Sequence, residues 1–292
     1  MTQLGPSTEK VIGEVVAACE SYGETSIIAL AGVPATGKSF IAAIAAQRFA
    51  GEPTRVREVQ FHQSFTYEEF MEGLRIAADG SVEPVPGVFL EWNDLANDDG
   101  SLRYVLLIEE LTRANVSAVL GELLTFVEHR NRPFLSMFSR RLVRVAPNIT
   151  IIATFNPVDR SALDIDAALL RRLRVIDMPP DNAQLEEMLA AQSLPQGVTD
   201  RIRQLFAACE TAFPDDFETL MPFGHGVFSE IKTEADLYPL WQQRLKRMLY
   251  RPLRDPHPFA EVIKAAYPWT DKAFSVASPE APPSTPAAVE QG

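Results

Sequence analysis

Eight residues, Gly32, Val33, Pro34, Ala35, Thr36, Gly37, Lys38 and Ser39, constrain this chain more than any others. They match G-x-x-x-x-G-K-[ST] in full, the pattern of a loop that cradles phosphate groups. The glycines let the backbone curl until its N–H groups face phosphate oxygens, and the N-terminus of the following helix adds positive potential at the same place. Lys38 supplies a charge for the β- and γ-phosphates, and Ser39 a hydroxyl for Mg²⁺. Phe40 completes the set expected to contact nucleotide. Such a loop needs a buried strand before it and a helix after it. The apolar run SIIALA at 26–31 and the Ala-rich stretch FIAAIAAQRFA after Ser39, closed by Gly51-Glu52-Pro53, provide both.

The rest of the N-terminal two thirds repeats this alternation. Residues 8–21 read as an amphipathic helix with Val11, Ile12, Val15, Val16 and Cys19 on one face. Strands are expected at 55–61, 103–108, 149–155 and 173–178, and helices at 67–76, near 88–96, at 115–128 and at 165–172. Asp79-Gly80 marks a tight hairpin turn, and 132–146 reads as a second hairpin. Strands alternating with helices over 26–178 imply an α/β fold, a parallel sheet sandwiched by helices. From 181 the chain turns mostly helical. The expected organisation is an N-terminal helix (1–25), an α/β nucleotide-binding domain (26–180), a small helical lid (181–255), an aromatic-bearing packing segment (256–275) and a Pro/Ala-rich disordered tail (276–292).

A phosphate loop needs partners from neighbouring strands. The run YVLLIEE ends in two acids, Glu109 and Glu110. The first is placed to hold the Mg²⁺ shell and the second to polarise the attacking water. Glu109 stands where an Asp is usual, one methylene shorter. Asn156 closes the strand ITIIATF and is placed between that acid and the γ-phosphate. Arg171 and Arg172 follow DIDAALL, and in a ring such an arginine stabilises transition-state charge on the neighbour's nucleotide. A surface ion-pairing role for the two arginines stays open.

Together these residues resemble the AAA+ ATPases of the McrB-like group, beside the MoxR and dynein-related ATPases. The likeness extends to QFHQSFTYEEFMEGLR (60–75), EELTRANVSAVLGELLTFVE (109–128), TFNPVDRSALDIDAALLRRL (154–173) and a lid-like stretch at 224–249 that includes Trp241. It implies a P-loop NTPase (AAA+) fold followed by a lid, a homo-oligomeric ring, a hexamer, with nucleotide at each subunit boundary, and hairpin inserts at about 76–88 and 131–146. The group's sensor Asn corresponds to Asn156, its Asp-Arg pair to Asp159 and Arg160, and its finger to Arg171 or Arg172. The implied activity is ATP hydrolysis with Mg²⁺, coupled to remodelling or activating a partner protein such as a McrC-like nuclease in restriction or phage defence. A MoxR-like chaperone and a non-hydrolysing scaffold or switch are the alternatives. The group's GTP-using members carry Met-Asn-Thr-Ala-Asp-Arg where this chain has Phe155-Asn156-Pro157-Val158-Asp159-Arg160, which favours ATP over GTP. Leu170 stands where a third arginine is frequent. About 25 residues precede the first strand, too few for a DNA-reading domain, so a bare motor is expected.

Net charge is −12, from 27 basic and 39 acidic side chains. That excludes a protein whose main surface grips nucleic acid and leaves direct contact as a local question, raised by Arg130, Arg132, Arg140, Arg141 and Arg144 around the second hairpin. No apolar run spans a bilayer, and MTQLGPSTEK is not a secretory signal, so a cytoplasmic protein is expected. Cys19 and Cys209 read as buried core thiols. His62, His129, His225 and His257 lack metal-ligand spacing, with His62 and His225 read as structural donors.

Overall fold

The computed structural model of the chain describes residues 4–158, 167–213 and 221–250. Its first compact unit comprises residues up to Ser193 together with Pro222–Ser229. The elements run α1 (Pro6–Tyr22), β1 (Ile27–Ala31), α2 (Lys38–Ala50), β2 (Val56–Gln60), α3 (Tyr67–Phe70), β3 (Glu72–Ile76), β4 (Val82–Pro86), α4 (Val88–Asp98) and β5 (Tyr104–Glu109). They continue α5 (Val116–Leu120), α6 (Leu123–Phe126), β6 (Phe134–Leu135), β7 (Leu142–Val143), β8 (Ile149–Phe155), α7 (Ala167–Leu170), β9 (Leu173–Asp177) and α8 (Asn182–Gln192).

Five strands form one sheet in the order β2-β5-β8-β1-β9, every neighbouring pair parallel. Side chains alternate across a strand, and here the alternation divides the core in two. Ile27, Ala29, Ala31, Leu106, Ile108, Ile151 and Ala153 enter one cluster with Phe61, Phe70, Phe89 and Leu120. Ile28, Leu30, Val105, Leu107 and Ile152 enter the other with Ile12, Val15, Ile41 and Ala45 of α1 and α2. Both faces are therefore covered, as the near-continuous apolar strands require. The central strands β1 and β8 are buried throughout, whereas the edge strand β9 leaves Arg174, Val175 and Asp177 exposed.

Two elements differ from the sequence pattern. The periodicity predicts a helix over 67–76, but the helix ends at Phe70. A capping box of Thr66 and Glu69 starts it. The turn at Asp79-Gly80 then brings 82–86 back beside 72–76, and antiparallel pairing from Glu72↔Pro86 to Ile76↔Val82 claims the segment as strand. The predicted helix over 115–128 is broken into α5 and α6 at Gly121. Its φ of 49° and ψ of −124° lie outside what an L side chain adopts, and a Cβ there would sit 2.6 Å from the Tyr67 ring.

The base of the first hairpin is tied to the turn of the second. Glu72 is buried, and its Oε2 accepts from the backbone N–H groups of Phe138 (2.7 Å) and Ser139 (2.9 Å). Burial alone would raise the pKa of this carboxyl. The hydrogen bonds from Ser139, Phe138 and Ser136 outweigh it and hold the pKa below the ordinary glutamate value.

Helix α8 packs with the sheet unit although it falls within the stretch expected as lid. Glu187 accepts hydrogen bonds from Ser7 N, Thr8 N and Thr8 Oγ1 at the start of α1, and α8 is capped by Asp181. The second unit comprises Leu194–Met221 and the residues from Glu230. Among its described residues are α9 (Gln196–Ala212), α10 (Leu237–Leu240), a π-helical turn at Trp241–Leu245 and α11 (Lys246–Tyr250). Ile202, Leu205, Phe206, Cys209, Trp241 and Leu245 are buried there. Cys19 and Cys209 are both buried free thiols. Burial pushes the Cys19 pKa up to about 12 and raises that of Cys209 as well. No helix among the described residues is long and apolar enough to cross a membrane. The segment 256–275, the tail and the pair Asp159 and Arg160 lie outside the described residues.

Candidate functional site

The loop Gly32–Gly37 joins the end of β1 to the start of α2, at the carboxyl edge of the parallel sheet, where ligands bind in open α/β folds. Gly32 is required by close approach: a Cβ there would lie 2.4 Å from Met178 O, and its N–H donates to Phe155 O. Gly37 is required by conformation, with φ at 84°, as the residue that turns the chain into α2. Ala35 also takes a positive φ, 65°, a region an alanine rarely visits. Thr36 is buried, and its hydroxyl closes the loop by donating to Val33 O at 3.0 Å. Lys38 Nζ donates to Val33 O at 2.9 Å, folded back over the loop. Phe40 is 53% exposed and points its ring to solvent rather than into the core.

The acid-bearing strand lies two positions away in the sheet, and it meets the loop. Ser39 Oγ donates to Glu109 Oε2 at 2.7 Å, across 70 residues of sequence. Glu109 is the last residue of β5 and is buried. Its Oε2 also accepts from the hydroxyl of Thr154 on β8. A hydroxyl and a buried carboxylate sharing one point at the foot of a phosphate loop form the hard oxygen donor set that Mg²⁺ takes. The residues therefore fit a magnesium–nucleotide complex.

Glu110 follows in left-handed conformation, φ 57° and ψ 46°. Its N–H donates to Thr154 Oγ1 at 3.3 Å, and its Oε2 accepts from Arg113 Nε at 3.3 Å. Thr154 thus fixes both acids. Sequence reasoning missed this residue, although a polar side chain two positions before Asn156 in a buried strand shares Asn156's face. Asn156 is buried just past β8, and its Oδ1 accepts from Val158 N at 3.2 Å. A cavity of about 550 Å³ opens between Gln60–Ser64, at the end of β2, and Glu110 with Arg113.

Arg171 and Arg172 stand apart from this network and differ from each other. Arg172 is buried, pairs with Glu128 at 3.1 Å and donates to Ala168 O at 2.6 Å. Arg171 is also 3.3 Å from Glu128, but its side chain is 63% exposed. Among the described residues, their bonds go to Glu128 and Ala168 and not to the phosphate loop. Of the basic residues near the second hairpin, Arg130 does not belong to the surface. It is buried, and its guanidinium donates to the carbonyls of Gly23, Val127, Ala146 and Ile149. Arg141 pairs with Asp94 at 2.7 Å, while Arg132, Arg140 and Arg144 are exposed.

The AAA domain model of the dynein-related subfamily matches residues 27–173, from β1 to the start of β9. The EcoKMcrB subunit of the type IV methyl-directed restriction enzyme of Escherichia coli (strain K12) is 36% identical over 173 residues. That alignment spans 56% of this chain and 38% of the relative's length.

Proposed function

The chain belongs to the dynein-related subfamily of AAA domains, and from that premise we propose that it is a magnesium-dependent nucleoside triphosphatase motor, with ATP as substrate. The observation that carries this reading is the junction of Ser39 with Glu109, which brings the phosphate loop and the acid strand to one point. Magnesium, when bound, neutralises charge on the β- and γ-phosphates. Ser39 and Glu109 are the residues that would hold it. The curled amides of Val33–Lys38 and the α2 N-terminus bind the phosphate oxygens, and Lys38 leaves Val33 O to reach them. Glu110 orients and polarises the water. Asn156 holds that water or the γ-phosphate in line.

Arg171 is proposed as the finger that acts on the nucleotide of an adjoining protomer in a ring, six-membered by its resemblance to kin. Its exposure suits action outside its own chain, whereas Arg172 is committed to Glu128 and Ala168. The same resemblance supports a partner protein of the McrC-like nuclease kind, driven or activated by the ring. The relative's printed description as a subunit of a restriction enzyme fits that reading.

Phosphate release from Mg-ATP and Mg-GTP by the purified chain, alone and with candidate nuclease subunits, tests the proposal. Arg171→Ala is expected to lower turnover on the order of 10³-fold. Mixing it with Lys38→Ala should restore part of the activity, because the Lys38→Ala protomer lends its arginine to the intact phosphate loop of an Arg171→Ala neighbour, while its own site stays inactive. Arg172→Ala should instead lower the melting temperature. Full turnover by isolated Arg171→Ala would remove the finger assignment. Absence of hydrolysis under every condition would leave a nucleotide-dependent scaffold.

A further inference from the structure

A phosphate loop that turns its amides inward must turn carbonyls outward, and buried outward carbonyls need donors. In this chain two of them are met from far along the sequence. Gly224 N donates to Pro34 O at 2.8 Å, and Gly226 N donates to Ala35 O at 2.8 Å. Between them His225 is 6% exposed, and its Nε2 lies 3.9 Å from where a Cβ on Gly37 would stand. Burial lowers the pKa of His225, against the opposing pull of Asp181 and Glu187, so the ring is neutral at ordinary pH. Its Nδ1 is buried with no hydrogen-bond partner among the described residues.

The segment is itself held firmly. Phe223 and Phe228 flank it, both fully buried and packed edge to face with ring centres 6.4 Å apart. Gln192, at the end of α8, donates to the carbonyls of Phe228 and Ser229. The approach is close: a Cβ on Gly224 would sit 2.4 Å from Ala35 O and 2.6 Å from Thr36 Cγ2. Ala35, whose carbonyl takes one of the two bonds, is the loop residue with the unfavourable positive φ. Such a conformation persists only where the surroundings impose it.

We propose that Gly224-His225-Gly226 is a backing clamp that holds the phosphate loop in its anion-binding shape, with His225 as a positioning residue for nucleotide binding. The proposal rests on the reading of Gly32–Ser39 as the nucleotide site and adds what sets its affinity. The clamp acts through the loop, so its loss changes binding and KM and leaves turnover at saturation nearly intact.

The test is titration of the full chain with a fluorescent ATP analogue and magnesium, with melting of the nucleotide-free protein and KM and kcat measured in parallel. Gly224→Ala is expected to weaken binding about tenfold, the equivalent of roughly one lost hydrogen bond to a charged group, while kcat stays within about threefold. Gly87→Ala places a clash of equal severity, 2.5 Å from Phe70 C, against the backbone of α3 rather than that of the loop. It should lower melting and leave nucleotide affinity alone. His225→Ala should weaken binding about fivefold, and His225→Gln, which keeps a nitrogen near the reach of Nε2, should recover most of it. If Gly224→Ala does not fold, the His225 pair decides. Parent affinity in both Gly224→Ala and His225→Ala, with binding lost in Lys38→Ala, would overturn the clamp and keep the nucleotide site. Parent affinity in Lys38→Ala would instead overturn the reading beneath it.

Discussion

Replacing Glu110 with glutamine is expected to leave Mg-ATP binding within about twofold of the parent while phosphate release falls by about two to four orders of magnitude. Glutamine keeps the shape of the side chain and removes its charge and basicity, so the water loses the group that polarises it. The backbone should not move, because Glu110 N is anchored to Thr154 Oγ1 and Arg113 N to Glu110 O. The predicted loss corresponds to about 2.7–5.4 kcal/mol of barrier, at about 1.36 kcal/mol per decade. The substitution also weakens the contact with Arg113. That pair is half-exposed on both sides and is worth at most about 1 kcal/mol, too little to account for such a loss. Single-turnover phosphate release, with binding followed separately, measures the two effects independently. Equal losses in binding and turnover would reassign Glu110 to holding the nucleotide.

The second large effect is on stability. Arg130→Ala is expected to lower the free energy of unfolding by about 3–5 kcal/mol, read by urea denaturation. The guanidinium joins the end of α1 (Gly23 O), the end of α6 (Val127 O) and the approach to β8 (Ala146 O and Ile149 O). Burial pulls its pKa down to about 10, partly offset by Glu24, so it remains charged at neutral pH. Its removal strands several buried carbonyls and opens a cavity, and each unmet acceptor costs about 1–3 kcal/mol. Arg130→Lys should recover only part of the loss, since an ammonium cannot fan out to carbonyls on several segments as a planar fork does. A change below about 1 kcal/mol would mean that water replaces the fork without cost. The same burial removes Arg130 from any basic surface around the second hairpin and leaves Arg132, Arg140 and Arg144 as its exposed charges.

Much of the sheet domain is legible in the sequence. The phosphate loop is a local pattern whose chemistry demands a strand before and a helix after, and β1 and α2 stand there. Gly51 closes α2 in left-handed conformation with its N–H on Gln47 O, as a helix-ending glycine should. Asp79-Gly80 marked the first hairpin because the turn is set by its own residues. The features that escaped depend on partners distant in sequence. Residues 72–76 carry a helix-compatible pattern until β4 pairs with them. Gly121 is one position in an otherwise helical run, and only its closeness to Tyr67 shows why the helix breaks. Thr154 acquires meaning from Glu109 on the adjacent strand. Arg130 looks like a surface charge until four carbonyls converge on it, and Gly224–Gly226 look like lid residues until their amides meet Pro34 and Ala35.

Equilibrium binding of Mg-ATP to the full chain and to Lys38→Ala tests the central claim most directly. Losing the charged partner of the phosphates costs about 2–5 kcal/mol, which converts to a rise in Kd of at least about 30-fold, with nucleotide-free melting unchanged. The same Kd for Lys38→Ala and the parent would contradict the assignment of Gly32–Ser39 as the nucleotide site and the proposed function built on it.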